Sequence, residues 1–391
     1  MSIPISLDDR DSLTQSAITS LASKIISQHS DILAPLAVDA VLKIADEKDS
    51  NCDLRNIHVS KVVGGTVDDT ELVDGLVFAD KKASHSAGGP TKVDNAKIAL
   101  IQFCLSAPKT DIENQIIVTE NSQMDRILME ERKYIIGLIK KIVKSGANVV
   151  MIQKSVMRDA VNDLALHFLA KKKIMVIKDI DRNMVDFISK TAGCTPVAHI
   201  DQLTADKLGN AETVYEDKDS NSIRVVGSVR PEGAEPTVSL LVRGTNKMIV
   251  DEAERSLHDA LCVVRCLVKK RAVVPGGAAV EMEIAQKLIV ASREVFGTES
   301  YCMRAFAEAL EIVPYTLAEN AGLDPIHFVT QQRKAHKEGK KYSGLNVKKN
   351  KVANMVDSKV IQPALVSISA LQLATECVRM ILKIDDIVLT M

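Results

Sequence analysis

The sequence carries no surplus of either charge. Its 50 basic residues stand against 51 acidic ones, a net charge of −1. A nucleic-acid binder needs a basic surplus to displace counterions, so that class of partner is not expected. No CxxC occurs among the seven cysteines, at 52, 104, 194, 262, 266, 302 and 377, and no zinc ligand set is visible. An odd, dispersed set of this kind reads as reduced thiols in a cytosolic protein. The opening residues, MSIPISLDDRDS, have neither a basic n-region nor an apolar h-region, which argues against secretion. No apolar run approaches the length of a membrane span. GxGxxG, GxSxG and HExxH are absent, and Gly64-Gly65-Thr66 lacks the Lys-Ser/Thr ending of a P-loop. The eight histidines are dispersed, so no metal residues are assigned.

What remains is an ordinary globular composition, 46% apolar over 391 residues, enough for two or three domains. The first 45 residues read as helical, with Asp11 or Ser12 as cap and Leu13, Ala17, Leu21 and Ile25 at helical spacing. Residues 54–80 read as a β-hairpin pair, Val59 to Val63 and Leu72 to Phe78. From Lys97 the pattern alternates. Strand candidates at 98–105, 149–152, 174–177 and 196–200 are interleaved with helices at 124–143, 159–171 and 184–189. That alternation predicts a parallel or mixed sheet flanked by helices. The Gly-, Asp- and Ser-rich stretch 209–235 reads as a boundary. After the strand 239–243 the chain is helical at 250–269, 280–290, 301–320, 325–337 and 363–384. The pattern is an α/β module inserted between two other parts.

Two motifs carry candidate chemistry. Val273-Val274-Pro275-Gly276-Gly277-Ala278-Ala279 leads into a helix; paired glycines admit a ligand close to the backbone, and the helix start offers free N–H groups to an anion. A tight turn explains the same residues. Asp259 lies on helix 250–269, off the apolar seam of Ala253, Leu257, Ala260, Val264 and Leu267. A carboxylate there can orient an attacking water or hold Mg2+; a surface salt bridge with Arg255 explains it equally well. Asp385-Asp386 reads as a metal pair or, more commonly for such residues, as a helix-terminal acidic pair.

Three longer stretches carry a resemblance: Gly64-Gly65-Thr66-Val67-Asp68-Asp69-Thr70-Glu71-Leu72-Val73-Asp74-Gly75-Leu76-Val77, Leu317-Ala318-Glu319-Asn320-Ala321-Gly322-Leu323-Asp324-Pro325, and Ile381-Leu382-Lys383-Ile384-Asp385-Asp386. Together they resemble a group II chaperonin of the eukaryotic cytosolic branch (TRiC/CCT). The runs 99–111 (ALIQFCLSAPKTD) and 258–271 (HDALCVVRCLVKKR) are particularly like one subunit type of that branch.

The resemblance implies a multidomain α+β fold. It assigns an intermediate domain to 1–73 and 223–262, an inserted α/β apical client-binding domain to 74–222, and the C-terminal part of a helical equatorial domain to 263–391. It also implies ATP and Mg2+ as cofactors, a double ring of paralogous subunits, unfolded client proteins such as cytoskeletal ones, no membrane and no nucleic-acid partner, and a cytoplasmic location. Carried over residue by residue, Asp259 matches the catalytic aspartate that activates water. Gly276 and Gly277 match the glycines that pass the sugar and base, and Asn346 and Val347 the turn that brackets the base. Gln362 stands where the family often has an acidic residue on the ribose, and Ala278 where it usually has a third glycine. The family's phosphate-binding loop and its GDGTT turn align before Met1, so these residues are expected to hold half an ATP site. The rival expectation is a non-catalytic interaction protein that binds clients or chaperonin subunits without ATP turnover. An unrelated α/β enzyme is disfavoured, since no other catalytic constellation occurs.

Overall fold

The computed structural model describes residues 1–45, 52–79, 88–107, 118, 120–155, 158–217, 222–229 and 236–386. The first segment holds β1 (Ile3–Pro4), α1 (Arg10–Leu21) and α2 (Ser30–Ile44). The middle holds β2 (Ile57–Val63), β3 (Glu71–Val73), β4 (Gly75–Phe78), β5 (Lys92–Ile101), α3 (Asn121–Ser145), β6 (Val149–Gln153), α4 (Asp163–Lys171), β7 (Met175–Ile180), α5 (Met184–Ala192), β8 (Gly209–Asp217), β9 (Ser222–Val229) and β10 (Val238–Gly244). The last part holds α6 (Lys247–Lys269), β11 (Ala272–Pro275), α7 (Ala279–Ala291), α8 (Thr298–Leu310), α9 (Ile312–Asn320), α10 (Pro325–Lys337), β12 (Ser343–Asn346), β13 (Lys351–Asn354), β14 (Ile361–Pro363) and α11 (Ala364–Ile381). Chain contacts divide the molecule into one unit of Met1–Cys52 with Arg255–Met391 and a second of Asp53–Glu254, the second division falling inside α6.

The inserted unit is built on a six-stranded mixed sheet in the order β4-β9-β8-β5-β6-β7. β5, β6 and β7 are parallel, and the remaining neighbours are antiparallel. Strand side chains alternate between faces, so Ile98 and Leu100 pack with α5 (Val185, Ile188), while Ala99 and Ile101 pack with α3 and α4 (Ile135, Ile142, Leu169). α3 takes its place through Ile135, Leu138, Ile139 and Ile142, which form one stripe at helical spacing and are all buried. α4 begins at Asp163, capped by the Asn162 side chain, four residues later than the sequence pattern suggests.

Three expectations fail in this unit, the first being the strand at 196–200, of which only an isolated bridge of Val197 to Ile101 forms. Residues 54–80 are not a hairpin: β2 and β3 both flank β10, β2 running parallel to it and β3 antiparallel. The second half of that supposed pair splits at Gly75 (φ +143°), where a Cβ would lie 2.0 Å from the Val225 carbonyl; β4 beyond it joins the larger sheet. The stretch 209–235 is no boundary either, because β8 and β9 lie within the six-stranded sheet. Their Asp and Ser residues mask an alternation in which Val214, Ile223 and Val225 point into the core. The sheet therefore runs to Val229, past the boundary expected at 222.

In the other unit, β1, β11 and β14 form an antiparallel sheet and β12 pairs with β13. α1 is capped by Asp9, whose carboxylate accepts from the Ser12 N–H at 3.3 Å and hydroxyl at 2.6 Å, and buries Leu13, Ala17 and Leu21. Ile25, expected on that stripe, is exposed. The single helix expected over 301–320 is two, α8 and α9, broken at Glu311. Pro314 lies in the first turn of α9, where its missing N–H costs nothing. By length and composition alone, Ile25–Ile44 and α11 are apolar enough to cross a membrane, although neither is an uninterrupted apolar run; α2 is a core helix with Leu33, Val38 and Val41 buried.

Candidate functional site

The glycine turn joins β11 to α7. Gly277 has φ +64°, and a Cβ there would meet the Leu345 carbonyl and the Met355 sulfur, both at 2.8 Å. Only glycine brings the turn this close to β12. The approach is fixed by Leu345 N–H donating to the Gly277 carbonyl at 2.9 Å and by Gly276 N–H donating to the Val360 carbonyl at 2.9 Å. Ala278, also left-handed at φ +56°, starts α7. β14 runs on the other side of β11 and pairs Gln362 with Val274.

An open cleft of about 610 Å³ lies beside this turn, lined by Gly277, Ala278, Glu281, Ile312, Asn320 and Gln362 among others. The structure thus brings Gly277 and Gln362 together. Gly276 and Asn346 support the wall without lining the cleft. Asn346 is buried and its side chain is spent on its own turn, the Oδ1 accepting from Lys349 N–H at 3.1 Å, so any contact it makes with a base must come from its backbone. Val347 beside it is partly exposed. The Gln362 amide donates to the Ser367 hydroxyl at 2.9 Å, which leaves its carbonyl oxygen to accept.

Asp259 is not among the residues lining the cleft. The seam of its helix, α6, is as expected: Ala253, Leu257, Ala260, Val264 and Leu267 are all buried. The Asp259 carboxylate lies off the seam and pairs with Lys24, Oδ2 to Nζ 2.6 Å.

Sequence reasoning missed Glu281 and Asn320 in the cleft. Glu281 follows the glycine turn by only a few residues, and burial pushes its carboxyl above the ordinary value. Asn320 lies in the long motif 317–325 that carried the resemblance, a signal that pointed to family without pointing to a role. Behind the wall, α10 contributes Gln332 and His336, both buried.

This fold, with a mixed-sheet module inserted into a helical frame and a glycine turn locked on a β-hairpin, is that of a chaperonin subunit. The description TCP-1/cpn60 chaperonin family matches residues 1–391, and the chain belongs to that family. It is 57% identical over 391 residues to T-complex protein 1 subunit delta of Arabidopsis thaliana, which covers 99% of this chain and 72% of that protein. It is 56% identical over 394 residues to the Homo sapiens protein of the same name, covering 100% and 72%. Among solved structures it resembles the open-state monomer of a group II chaperonin from Methanococcoides burtonii, with TM-score 0.71 and 33% identity over 98% of this chain and 88% of that one.

Proposed function

We propose that the chain serves as one subunit of a hetero-oligomeric, ATP-driven double ring that encloses and folds unfolded proteins in the cytoplasm. The observation that carries this reading is the glycine turn held against β12 at the head of the cleft. Its backbone can pass the sugar and base of ATP, with Gln362 accepting from a ribose hydroxyl. The wall formed by Gly276, Gly277, Asn346 and Val347 orients that end of the nucleotide. Among the described residues no group of three or more Asp, Glu, His or Cys could hold a metal ion. Mg2+ would arrive on the nucleotide's phosphates.

Asp259 acts on water. With Oδ2 on Lys24, Oδ1 remains to take the proton from the attacking water as the phosphoanhydride bond breaks. Because that interaction forms in the transition state, Asp259 contributes little to nucleotide affinity. The client-binding module is the region of the six-stranded sheet, 74–222 as expected from the family but extended to Val229 because β9 is one of its inner strands. The flanks 1–73 and the stretch leading to 262 serve as the linking domain, and 263–391 as part of the equatorial one.

The test uses the assembled ring and 8-azido-ATP. Label should enter this subunit at 276–281, 312–320 or 345–347, and Asp259→Ala should abolish the subunit's turnover with labelling unchanged. Label that never enters these peptides would leave the chain as a non-catalytic, client-binding member of the ring.

A further inference from the structure

The wall of the cleft is braced from behind by a buried polar network that none of the roles above uses. The His336 side chain is 0% exposed. Its Nε2 lies 2.8 Å from the Ser343 carbonyl, at the start of β12, and its Nδ1 lies 2.8 Å from Glu283 Oε2, on α7. A carbonyl only accepts, so Nε2 carries a proton and donates it, and Nδ1 faces the carboxylate. Lys287 Nζ stands 3.4 Å from the other Glu283 oxygen. Burial pushes the Glu283 carboxyl up, but the His336 ring and Lys287 bring it to a net position below its ordinary value.

One turn earlier on α10, the buried Gln332 amide donates to the Ala278 carbonyl at 3.1 Å and to the Ser343 carbonyl at 3.4 Å. Two adjacent turns of one helix therefore grip both sides of the cleft wall, the glycine turn through Ala278 and β12 through Ser343. α10 itself is fixed at its start by Asp324, which accepts from the N–H groups of Ile326 and His327 at 3.1 and 3.3 Å, and at its middle by the Arg333–Glu311 ion pair to the residue between α8 and α9. Each gripped carbonyl has a second donor, Ser343 from the other of these two side chains and Ala278 from the Met282 N–H at 3.2 Å, so losing one bond loosens the wall without stripping an acceptor bare.

We propose that His336, Glu283 and Gln332 are positioning residues for nucleobase recognition. They set the gap between the glycine turn and β12, and so the fit of the sugar and base, without touching the nucleotide. This inference rests on the assignment of the cleft to the nucleotide's base and sugar. Its signature is selective: the base end loses affinity, while affinity for the phosphates, which these residues do not reach, stays the same.

The experiment reads 8-azido-ATP label in this subunit's cleft peptides within the assembled ring, competed either by ATP or by inorganic tripolyphosphate. In His336→Leu, the advantage of ATP over tripolyphosphate should fall about tenfold, as expected when the Glu283 carboxylate behind the wall loses its close partner and Ser343 keeps only the longer Gln332 bond. His336→Gln restores a donor toward the Ser343 carbonyl and should recover most of that ratio. Gln332→Met keeps shape while deleting both donations, and should lower the ratio by about fivefold with the thermal midpoint of the ring little changed. It serves as the deciding variant if His336→Leu does not assemble. A ratio unchanged in Gln332→Met, with label still in the cleft, overturns the positioning role and leaves the cleft assignment intact. Label absent from the cleft peptides of the unaltered ring overturns the cleft assignment itself and this inference with it.

Discussion

The two units of the chain solve the same problem, hiding apolar side chains from water, to different degrees. In the inserted unit both faces of the six-stranded sheet are covered: Ile98 and Leu100 on one side, Ala99 and Ile101 on the other, all 0% exposed. In the other unit, the stretch after α7 leaves large apolar side chains in the open: Phe296 94%, Tyr301 77% and Leu382 78% exposed, with Leu373, Val378, Met380 and Ile381 along α11 also exposed. Of α11 only Ala364 and Ser367 are buried. Apolar surface of that extent marks an interface. One unit hides its sheet on both faces, and the other leaves most of its last helix open.

The strongest way to break this comparison is to separate the units. A polypeptide of residues 53–254 is expected to be monomeric and to unfold cooperatively, while the 391-residue chain associates at micromolar concentration, as read by sedimentation velocity. A monomeric full chain beside an aggregating insert would reverse the assignment. Next in size is a pair of single substitutions. Leu100→Ala, at a fully buried position of the central strand, should cost the insert about 2–5 kcal/mol in chemical denaturation. Leu373→Ala, on the bare face of α11, should change stability of the isolated chain by less than about 0.5 kcal/mol while reducing association.

Thiol chemistry sharpens the contrast. Burial pushes the Cys194 thiol from 9.0 up to about 12, whereas Cys302, on α8, is exposed. Iodoacetamide at pH 8 should modify Cys302 in the native chain and Cys194 only after unfolding. Because the folded value of Cys194 is the raised one, its contribution to stability is complete below pH 9.0 and is lost as pH rises toward about 12. Cys194→Ala should flatten the stability profile of the insert in that window. A small stability effect also belongs to Asp259. Its pair with Lys24 is partly solvated, so Asp259→Asn should cost less than about 1 kcal/mol of stability. A loss well above that would make Asp259 a structural residue.

Much of this division was legible in local patterns. The alternation of strands and helices from Ile98 to Ile180, the seam of α6 and the inserted character of the α/β module all follow from spacing within short windows. The pairing of β2 and β3 with β10 did not, because their common partner lies more than about 160 residues away and nothing near Val59 or Leu72 encodes it. The glycine turn was readable, since paired glycines before a helix are a local signal. The network behind it was not. His336 and Glu283 stand 53 residues apart, and each alone reads as an ordinary polar residue on a helix. Asp259 is intermediate: its place off the seam could be read, but its partner Lys24 could not.

The pairing of β2 with β10 has a mechanical meaning. The chain enters the insert along β2 and leaves along β10, and the two lie side by side, parallel and in register from Ile57↔Val238 to Val63↔Gly244. Tension applied from the flanks pulls the N-terminal end of one strand against the C-terminal end of the other. The load is then shear, shared by all the rungs of the ladder at once, and not a peeling force that breaks them singly. A module hung on such a clamp can be tugged as a whole while its sheet, and whatever that sheet holds, stays unstretched.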